Sequence, residues 1–354
     1  MQLEDLGFNP WFQNRIDTGK IVPSHIARVI TVNKDNYLIK NESSEVLAEI
    51  TGRLMFRATS PLDYPTVGDW VLAQYFDNDS FAVIDKILPR KTVLKRKTSG
   101  KTIDYQLIAA NIDAALIIQS LDSNYNLRRL ERYLTMVNES NIQPIVLLSK
   151  SDLLSPTELR QRMSEINNLM PHVQLVTFSN LIHSEVDRVR DVLISGQTYC
   201  LLGSSGVGKT TLLNNLLGKD VFETRAVRKK DSKGRHTTAR RQLIILSNGA
   251  MLVDTPGMRE LGNIGAEIGL EQTFDEIAGL SGQCRYNDCS HTNEDGCAIL
   301  AGLTEGIISK ERYESYMKMS KESAYYEMSY VDKRRRDKKF GKMYKSIMKN
   351  NVKK

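Results

Sequence analysis

Gly203-Ser204-Ser205-Gly206-Val207-Gly208-Lys209-Thr210 reads G-x-x-x-x-G-K-T, the pattern of a phosphate-cradling loop. Its flanks suit that reading. Tyr199-Cys200-Leu201-Leu202 before it is a short apolar run of the kind found in a buried parallel strand, and Thr211 to Leu217 after it has helical spacing. Glycines let successive backbone N–H groups turn inward around a β-phosphate, and the helix N-terminus adds the positive end of its dipole. Lys209 is placed to reach the β- and γ-phosphates, and the Thr210 hydroxyl to bind Mg²⁺. A chance Gly/Ser-rich turn is the alternative, and the strand and helix on either side argue against it. The chain is expected to bind a nucleoside triphosphate.

With 354 residues the chain has room for two or three domains, each with its own core. The opening Met1-Gln2-Leu3-Glu4-Asp5-Leu6 lacks the basic and apolar regions of a secretory signal, and no apolar run approaches the ~20 residues that span a bilayer. Four cysteines are too few for a disulfide scaffold, so a reducing cytoplasm is expected. The net charge of +7 is unevenly placed: residues 333–354 hold eleven Lys/Arg and one Asp, leaving the remainder at −3. The basic character belongs to a tail.

Residues from about 18 to 97 read as all-β, with strands expected at Ile26–Val32, Tyr37–Ile39, Val46–Ile50, Trp70–Tyr75 and Phe81–Ile84. About five strands in such a span suit a small closed barrel, and an OB-fold is the commonest such module that binds RNA. A β-domain used for packing or protein contact is the alternative, which strand pattern alone leaves open. Lys95 to Lys101, polar, basic and glycine-containing, reads as an interdomain linker. Beyond it, strands at Ala114–Ile118, Ile145–Leu148 and Val173–Phe178 alternate with helices at Leu127–Asn138 and about Glu185–Leu193. Alternation of this kind implies a parallel sheet covered by helices on both faces.

The order of the motifs is informative. In ordinary GTPases the base-reading motif N-K-x-D follows the phosphate loop; here its counterpart, Ser149-Lys150-Ser151-Asp152, lies upstream, directly after the strand ending at Leu148. A carboxylate at Asp152 accepts from guanine N1–H and the exocyclic amine together, and adenine offers no such pair of donors. The Lys150 stem would lie against the base plane. Ser149 stands where Asn or Thr is usual, which predicts weaker support at that point. Ser179-Asn180, after the next strand, is a looser match to the second base-contacting loop.

Downstream, Asp231 to Arg241 reads as a polar switch loop containing His236-Thr237-Thr238, and one of these threonines, Thr238 in preference to Thr237, would give Mg²⁺ a second hydroxyl. Asp254-Thr255-Pro256-Gly257 follows a strand, Ala250–Val253, and its D-x-x-G pattern sets a carboxylate near Mg²⁺ and the Gly257 N–H near the γ-phosphate. Met258 occupies the place where a water-orienting Gln is common, so another group must position the attacking water. His236 is the nearest titratable candidate, and a solvated loop histidine is the alternative.

Cys284, Cys289, His291 and Cys297 form C-x₄-C-x-H-x₅-C, three thiolates and an imidazole of the type that tetrahedral Zn²⁺ takes. Four protein ligands leave no open position, so the expected role is structural. Cys200 stands apart as a core residue. Residues from about 305 to 330 read as helix. In the tail beyond, Phe340 and Tyr344 are interleaved with the cations, which favours RNA contact over a frayed terminus or a membrane surface.

With these motifs in this order, the chain resembles the bacterial ribosome-small-subunit-dependent GTPase A family of circularly permuted GTPases. The resemblance runs from the β-domain to about residue 320. It implies an N-terminal all-β OB-fold barrel over 1–100, a central α/β P-loop GTPase domain, circularly permuted, over 101–268, and a C-terminal zinc-binding helical domain over 269–325; the basic tail over 326–354 is not a uniform family feature, and its role rests on its charge. It also implies a late role in small-subunit maturation, with rRNA binding and GTP hydrolysis stimulated by the subunit. It places GTP on Ser149–Asp152 and on Gly203, Ser204, Ser205, Gly206, Val207, Gly208, Lys209, Thr210 and Thr211. Zinc falls on the cysteine–histidine cluster, one ion per chain, and His236 takes the switch position. The expected partners are the small ribosomal subunit and its rRNA, GTP and GDP, and other assembly factors, with no membrane and a monomeric chain. An RNA-binding scaffold using GTP as a structural ligand, or a membrane-associated regulatory GTPase, are the rival readings.

Overall fold

The computed structural model describes residues 1–16, 25–34, 36–97, 105–222, 241–254 and 267–328, with 332 and 335. It divides into two compact units, Met1–Arg96 with Tyr105–Leu261, and Lys97–Asp104 with Gly262–Lys354.

In the first unit, a short helix α1 (Pro10–Gln13) precedes strands β1 (Ile26–Val32), β2 (Tyr37–Lys40), β3 (Glu45–Ile50), β4 (Trp70–Phe76) and β5 (Phe81–Ile87), with α2 (Gly52–Arg57) between β3 and β4. β1, β2 and β3 run as an antiparallel meander, β3 pairs parallel with β5, and β4 joins β5 to β1, so the barrel closes. Alternation drives it: in β3 the side chains of Val46 and Ala48 turn inward while Glu45, Leu47 and Glu49 stay exposed. Ala27, Val29, Ile39, Val71, Ala73, Ala82 and Ile84 complete that interior. These are the five strands expected from the sequence.

Next come β6 (Val93–Lys97), β7 (Tyr105–Ala110), β8 (Ala114–Ser120), α3 (Leu127–Glu139), β9 (Gln143–Ser149), α4 (Pro156–Leu169), β10 (Gln174–Phe178), α5 (His183–Asp191), β11 (Thr198–Leu202), α6 (Lys209–Leu217), β12 (Arg241–Ile245) and β13 (Met251–Asp254). β10, β9, β8, β11 and β13 lie side by side and parallel, and β12 is antiparallel at β13. The strands are buried on both faces. In β8, Ala115 and Ile117 pack on one side with Leu130, Tyr133 and Leu134 of α3; Ala114, Leu116 and Ile118 pack on the other with Val186 of α5 and Leu212 of α6. That two-sided burial is why these strands read as unbroken apolar runs.

β1 also pairs with β12, Thr31 opposite Gln242, so barrel and parallel strands form one eleven-stranded sheet. Beneath this seam Arg28 is buried, its guanidinium donating to the carbonyls of Leu6 (2.5 Å), Gly68 (3.3 Å) and Asn111 (3.2 Å). Burial lowers its pKa to about 10, and Asp113 and Asp69 oppose that shift.

Two expectations need correction. Lys95–Lys97 are the end of β6 paired with β7, where a linker was expected; residues 98–101 lie outside the described residues. Leu94 of β6 is buried in the main core, which pins the strand. Arg241, expected to close the switch loop, instead opens β12, held by its pairing with Val32 and by a hydrogen bond to the Leu107 carbonyl.

The second unit is helical: α7 (Glu267–Thr273), α8 (Asp275–Ser281), α9 (Ala298–Thr304) and α10 (Lys310–Glu327). Its core gathers Leu270, Phe274, Ile277, Ile299, Ile308 and Met319. Arg312 is buried there, paired with Glu276 (2.6 Å), donating to the Thr273 carbonyl (2.6 Å) and lying over the Phe274 ring. No helix among the described residues is long and apolar enough to cross a membrane.

Candidate nucleotide site and metal cluster

The phosphate-loop motif leaves the end of β11 and enters α6, as its flanks predict. Gly203 has φ +146°, and a Cβ there would stand 2.5 Å from the Ile118 carbonyl oxygen, so the close approach to β8 demands glycine. Gly208 has φ +95°, and a Cβ would meet the Asn180 side chain at 2.6 Å. Between them Val207 is buried in the core as the anchor of the turn, while Ser205 and Gly206 are exposed. Lys209 Nζ lies in the loop, donating to the carbonyls of Gly203 (2.7 Å) and Ser204 (2.6 Å). Thr210 and Thr211 are half-buried in the first turn of α6.

Side chains from the ends of three neighbouring strands hold this loop. Ser149, at the end of β9, donates its hydroxyl to the Val207 carbonyl at 2.7 Å, fully buried. Asn180, after β10, donates to the Gly208 carbonyl at 3.2 Å and accepts from Asn215 of α6. Asn124, after β8, donates to the Ser204 hydroxyl at 3.1 Å and approaches the Ser205 carbonyl at 3.4 Å. Every one of these tethers precedes the loop in the chain and reaches it through the sheet.

The S-K-x-D segment sits at the β9 end. Lys150 has a left-handed φ of +62°, which turns its ammonium onto Asp122 at 2.5 Å. Asp122 also accepts from the Ser120 hydroxyl (2.7 Å) and the Asn124 amide (3.0 Å). Burial works against this carboxylate, yet those donors, Lys150 foremost, hold it down at about 2. Ser151 donates to Glu185 at 2.6 Å, and the Asp152 side chain is exposed beside it. Ser179 is buried and accepts from the Leu181 amide. Asp254 ends β13 opposite Gln242. His236, Thr237, Thr238 and Gly257 lie outside the described residues, as do residues 333–354 except Arg335. Asp122 and Asn124 escaped the sequence reading; the signal was a short polar run immediately after the apolar strand β8.

In the second unit, the ligand atoms of Cys284, Cys289, His291 and Cys297 all lie within 4.8 Å of one another. Cys284 Sγ and Cys297 Sγ are each 3.6 Å from His291 Nδ1 and 3.9 Å apart. Zinc–sulfur bonds of about 2.3 Å at tetrahedral angles give sulfur–sulfur edges of about 3.8 Å, so this donor set has the size of a zinc shell. The surroundings fit as well. Burial raises the Cys284 thiol, but the Ala298 and Ile299 amides at the head of α9 outweigh it and draw the pKa down. Cys289 is pushed up to about 11 by burial and by its sulfur neighbours, as expected of thiols that cannot all ionise without a cation among them. Tyr313 donates to the His291 carbonyl at 2.7 Å and steadies the ligand loop.

A parallel sheet in which phosphate loop, base-reading loop and D-x-x-G strand are neighbours in space, with the base-reading strand first in the chain, is the fold of a circularly permuted GTPase. Solved structures share it. YjeQ from Thermotoga maritima superposes with TM-score 0.63 at 22% identity over 83% of this chain and 96% of that one. YloQ, described as a circularly permuted GTPase, gives 0.60 at 22% identity over 87% and 97%. Residues 87–264 match the RsgA GTPase family. A relative from Lactiplantibacillus plantarum, named small ribosomal subunit biogenesis GTPase RsgA 2, is 43% identical over 85% of this chain and 84% of its own length. A Listeria innocua relative, named small ribosomal subunit biogenesis GTPase RsgA 1, is 40% identical over 92% and 90%. The chain belongs to the RsgA GTPase family and is a GTP hydrolase.

Proposed function

We propose that this protein is a cytoplasmic, monomeric GTPase of small-ribosomal-subunit maturation, which docks on rRNA and hydrolyses GTP faster when docked. Its curated relatives are named as small ribosomal subunit biogenesis GTPases. The observation that carries the reading is the tethering of Gly203–Lys209 by Asn124, Ser149 and Asn180, which couples a base-reading edge to a phosphate cradle.

In this reading Asp152 accepts from guanine, Lys150 lies along its face, and Ser151 and Ser179 close the rim. The amides of Gly203–Gly208 with Lys209 hold the β- and γ-phosphates. Thr210, Thr238 and Asp254 would hold Mg²⁺, which would supply charge neutralisation to the phosphates. Gly257 donates to the γ-phosphate and His236 orients the attacking water. Zinc on the cysteine–histidine cluster fixes the helical unit, and the barrel and the cationic tail face rRNA, beside other assembly factors. The division at about 100, 268 and 325 separates these tasks.

Single-turnover hydrolysis with and without purified small subunits tests the reading. Stimulation by subunits and its loss in His236→Ala are expected. Equal rates with and without subunits would instead favour a scaffold that uses GTP as a structural ligand.

A further inference from the structure

The barrel carries a feature that the nucleotide and metal sites leave unused. Between α2 and β5 lies a cavity of about 510 Å³ lined by Arg53, Leu54, Arg57, Asp63, Asp85 and Lys86. Arg53, Arg57 and Lys86 are exposed, and among the described residues none of them has an ion-pair partner. Of the two acids, Asp63 is committed elsewhere: its carboxylate accepts from the amides of Thr59 (2.8 Å) and Ser60 (2.9 Å). Arg53 and Arg57 stand one helical turn apart, a like-charge spacing that costs stability unless an anion lies between them.

Beside this cationic cavity, Phe56 is 91% exposed and Met55 56%. Leu54 is the member of the turn that packs on the barrel core. An aromatic ring held in water by a short helix, next to unpaired guanidinium groups, has the composition of a stacking platform with phosphate contacts. An acidic peptide would use the cations and leave the ring idle. A lipid surface would require more apolar area than Met55 and Phe56 offer.

We infer that α2 and the adjoining edge of β5 form a single-stranded RNA site, with Phe56 stacking on a base and Arg53, Arg57 and Lys86 holding the neighbouring phosphates. This rests on the rRNA-binding reading above and names the surface that would perform it.

The test uses the full chain and a 4-thiouridine-substituted single-stranded 12-mer. Photocrosslinks are expected on the peptide containing Phe56, a positional readout that the basic tail does not blur. By fluorescence anisotropy, Phe56→Ala should weaken binding about tenfold and Phe56→Tyr by less than about threefold, since stacking needs only the ring. Arg53→Ala with Arg57→Ala should flatten the log–log salt slope by about 1.4. Intrinsic GTP turnover should not move in any of these variants, and the melting temperature should not fall. If the wild-type chain binds RNA and small subunits and the variants do so equally well, the α2 site is wrong and the rRNA reading survives. If the wild type binds neither, both fall. Variants that lose binding to polyglutamate or anionic vesicles but not to RNA would also overturn the assignment.

Discussion

The Ser149 hydroxyl and the Val207 carbonyl are bonded at 2.7 Å, although 58 residues separate them in the chain. The bond joins the segment proposed to read the base to the turn proposed to cradle phosphate, and it is buried from water. Serine is shorter than the asparagine usual at this place, yet its hydroxyl, with the same reach as a threonine's, spans the gap. Removing the hydroxyl leaves a buried carbonyl without its donor, which costs about 1–3 kcal/mol. Ser149→Ala should therefore weaken GTP binding by roughly tenfold in titration calorimetry, while Ser149→Thr, which keeps the donor, should stay within about threefold. Wild-type affinity in the alanine variant would mean that the bond carries no coupling.

Lys150 and Asp122 make the next link. The ammonium that is to lie along the base is aimed by a carboxylate that Ser120 and the Asn124 amide already fix. Asp122→Asn should weaken GTP, inosine triphosphate and xanthosine triphosphate to a similar degree, about tenfold, because the loss is in positioning and is blind to the base edge. In a Lys150→Met background the same substitution should do almost nothing, the mark of two residues acting as one. The sign of the pH effect follows from the depressed value of about 2. A carboxylate held that low keeps its charge above the ordinary range near pH 4 and loses it only as pH falls below that, so the ratio of wild-type to Asp122→Asn affinity for GTP should stay constant from about pH 8 to about pH 5.

In the proposed reading, base discrimination belongs to Asp152: its carboxylate would accept from the guanine amine, whereas an amide could donate to the oxygen that xanthine carries at that position. Asp152→Asn should shift preference from GTP towards xanthosine triphosphate by at least about a hundredfold in the ratio of dissociation constants, as when a hydrogen-bonding site is mismatched. An unchanged ratio would remove Asp152 from the base pocket whatever Asp122 does.

Much of this was legible in the sequence because the physics was local. The barrel strands alternate, the parallel strands are apolar runs, and Gly203 to Thr210 must be a turn between one of those runs and a helix. α4 carried a legible start that the reading passed over: Ser155, Pro156 and Glu158 form a capping box, with the Ser155 hydroxyl and the Glu158 carboxylate exchanging backbone bonds. Other features were long-range and left no local trace. β6 is charged at Lys95 and Arg96 and becomes a strand because Leu94 is buried beneath it and β7 pairs with it. Arg28 looks like any strand arginine until its carbonyl partners at Leu6, Gly68 and Asn111 arrive from distant segments. Asn124 and Asp122 are of the same kind, since their partners Ser204 and Lys150 are distant in sequence and adjacent only across the sheet.

Cys200 illustrates a residue whose inertness can be measured. It is buried in the middle of β11, and burial pushes its thiol up to about 12. Alkylation needs the thiolate, so at about pH 8 the native protein should leave Cys200 unmodified by iodoacetamide, and denaturant should expose it to full reaction. Modification of the native chain at the rate of a free thiol would show that β11 opens in solution.

The cysteine–histidine cluster makes the sharpest demand on composition. Three sulfurs and an imidazole within 4.8 Å of one another, in a unit with a small apolar core, are costly to assemble without a cation among them. Purified protein should hold one zinc per chain by plasma mass spectrometry, and a strong chelator should remove it with loss of helical circular dichroism, because metal binding and folding are one equilibrium in such sites. Cys284→Ser should lose the ion. GTP affinity should change by less than about threefold, since the loop tethers Asn124, Ser149 and Asn180 all belong to the other compact unit. Freshly prepared protein with no metal, three freely titrating thiols in this cluster and an intact helical spectrum would overturn the structural-zinc reading while leaving the nucleotide site untouched.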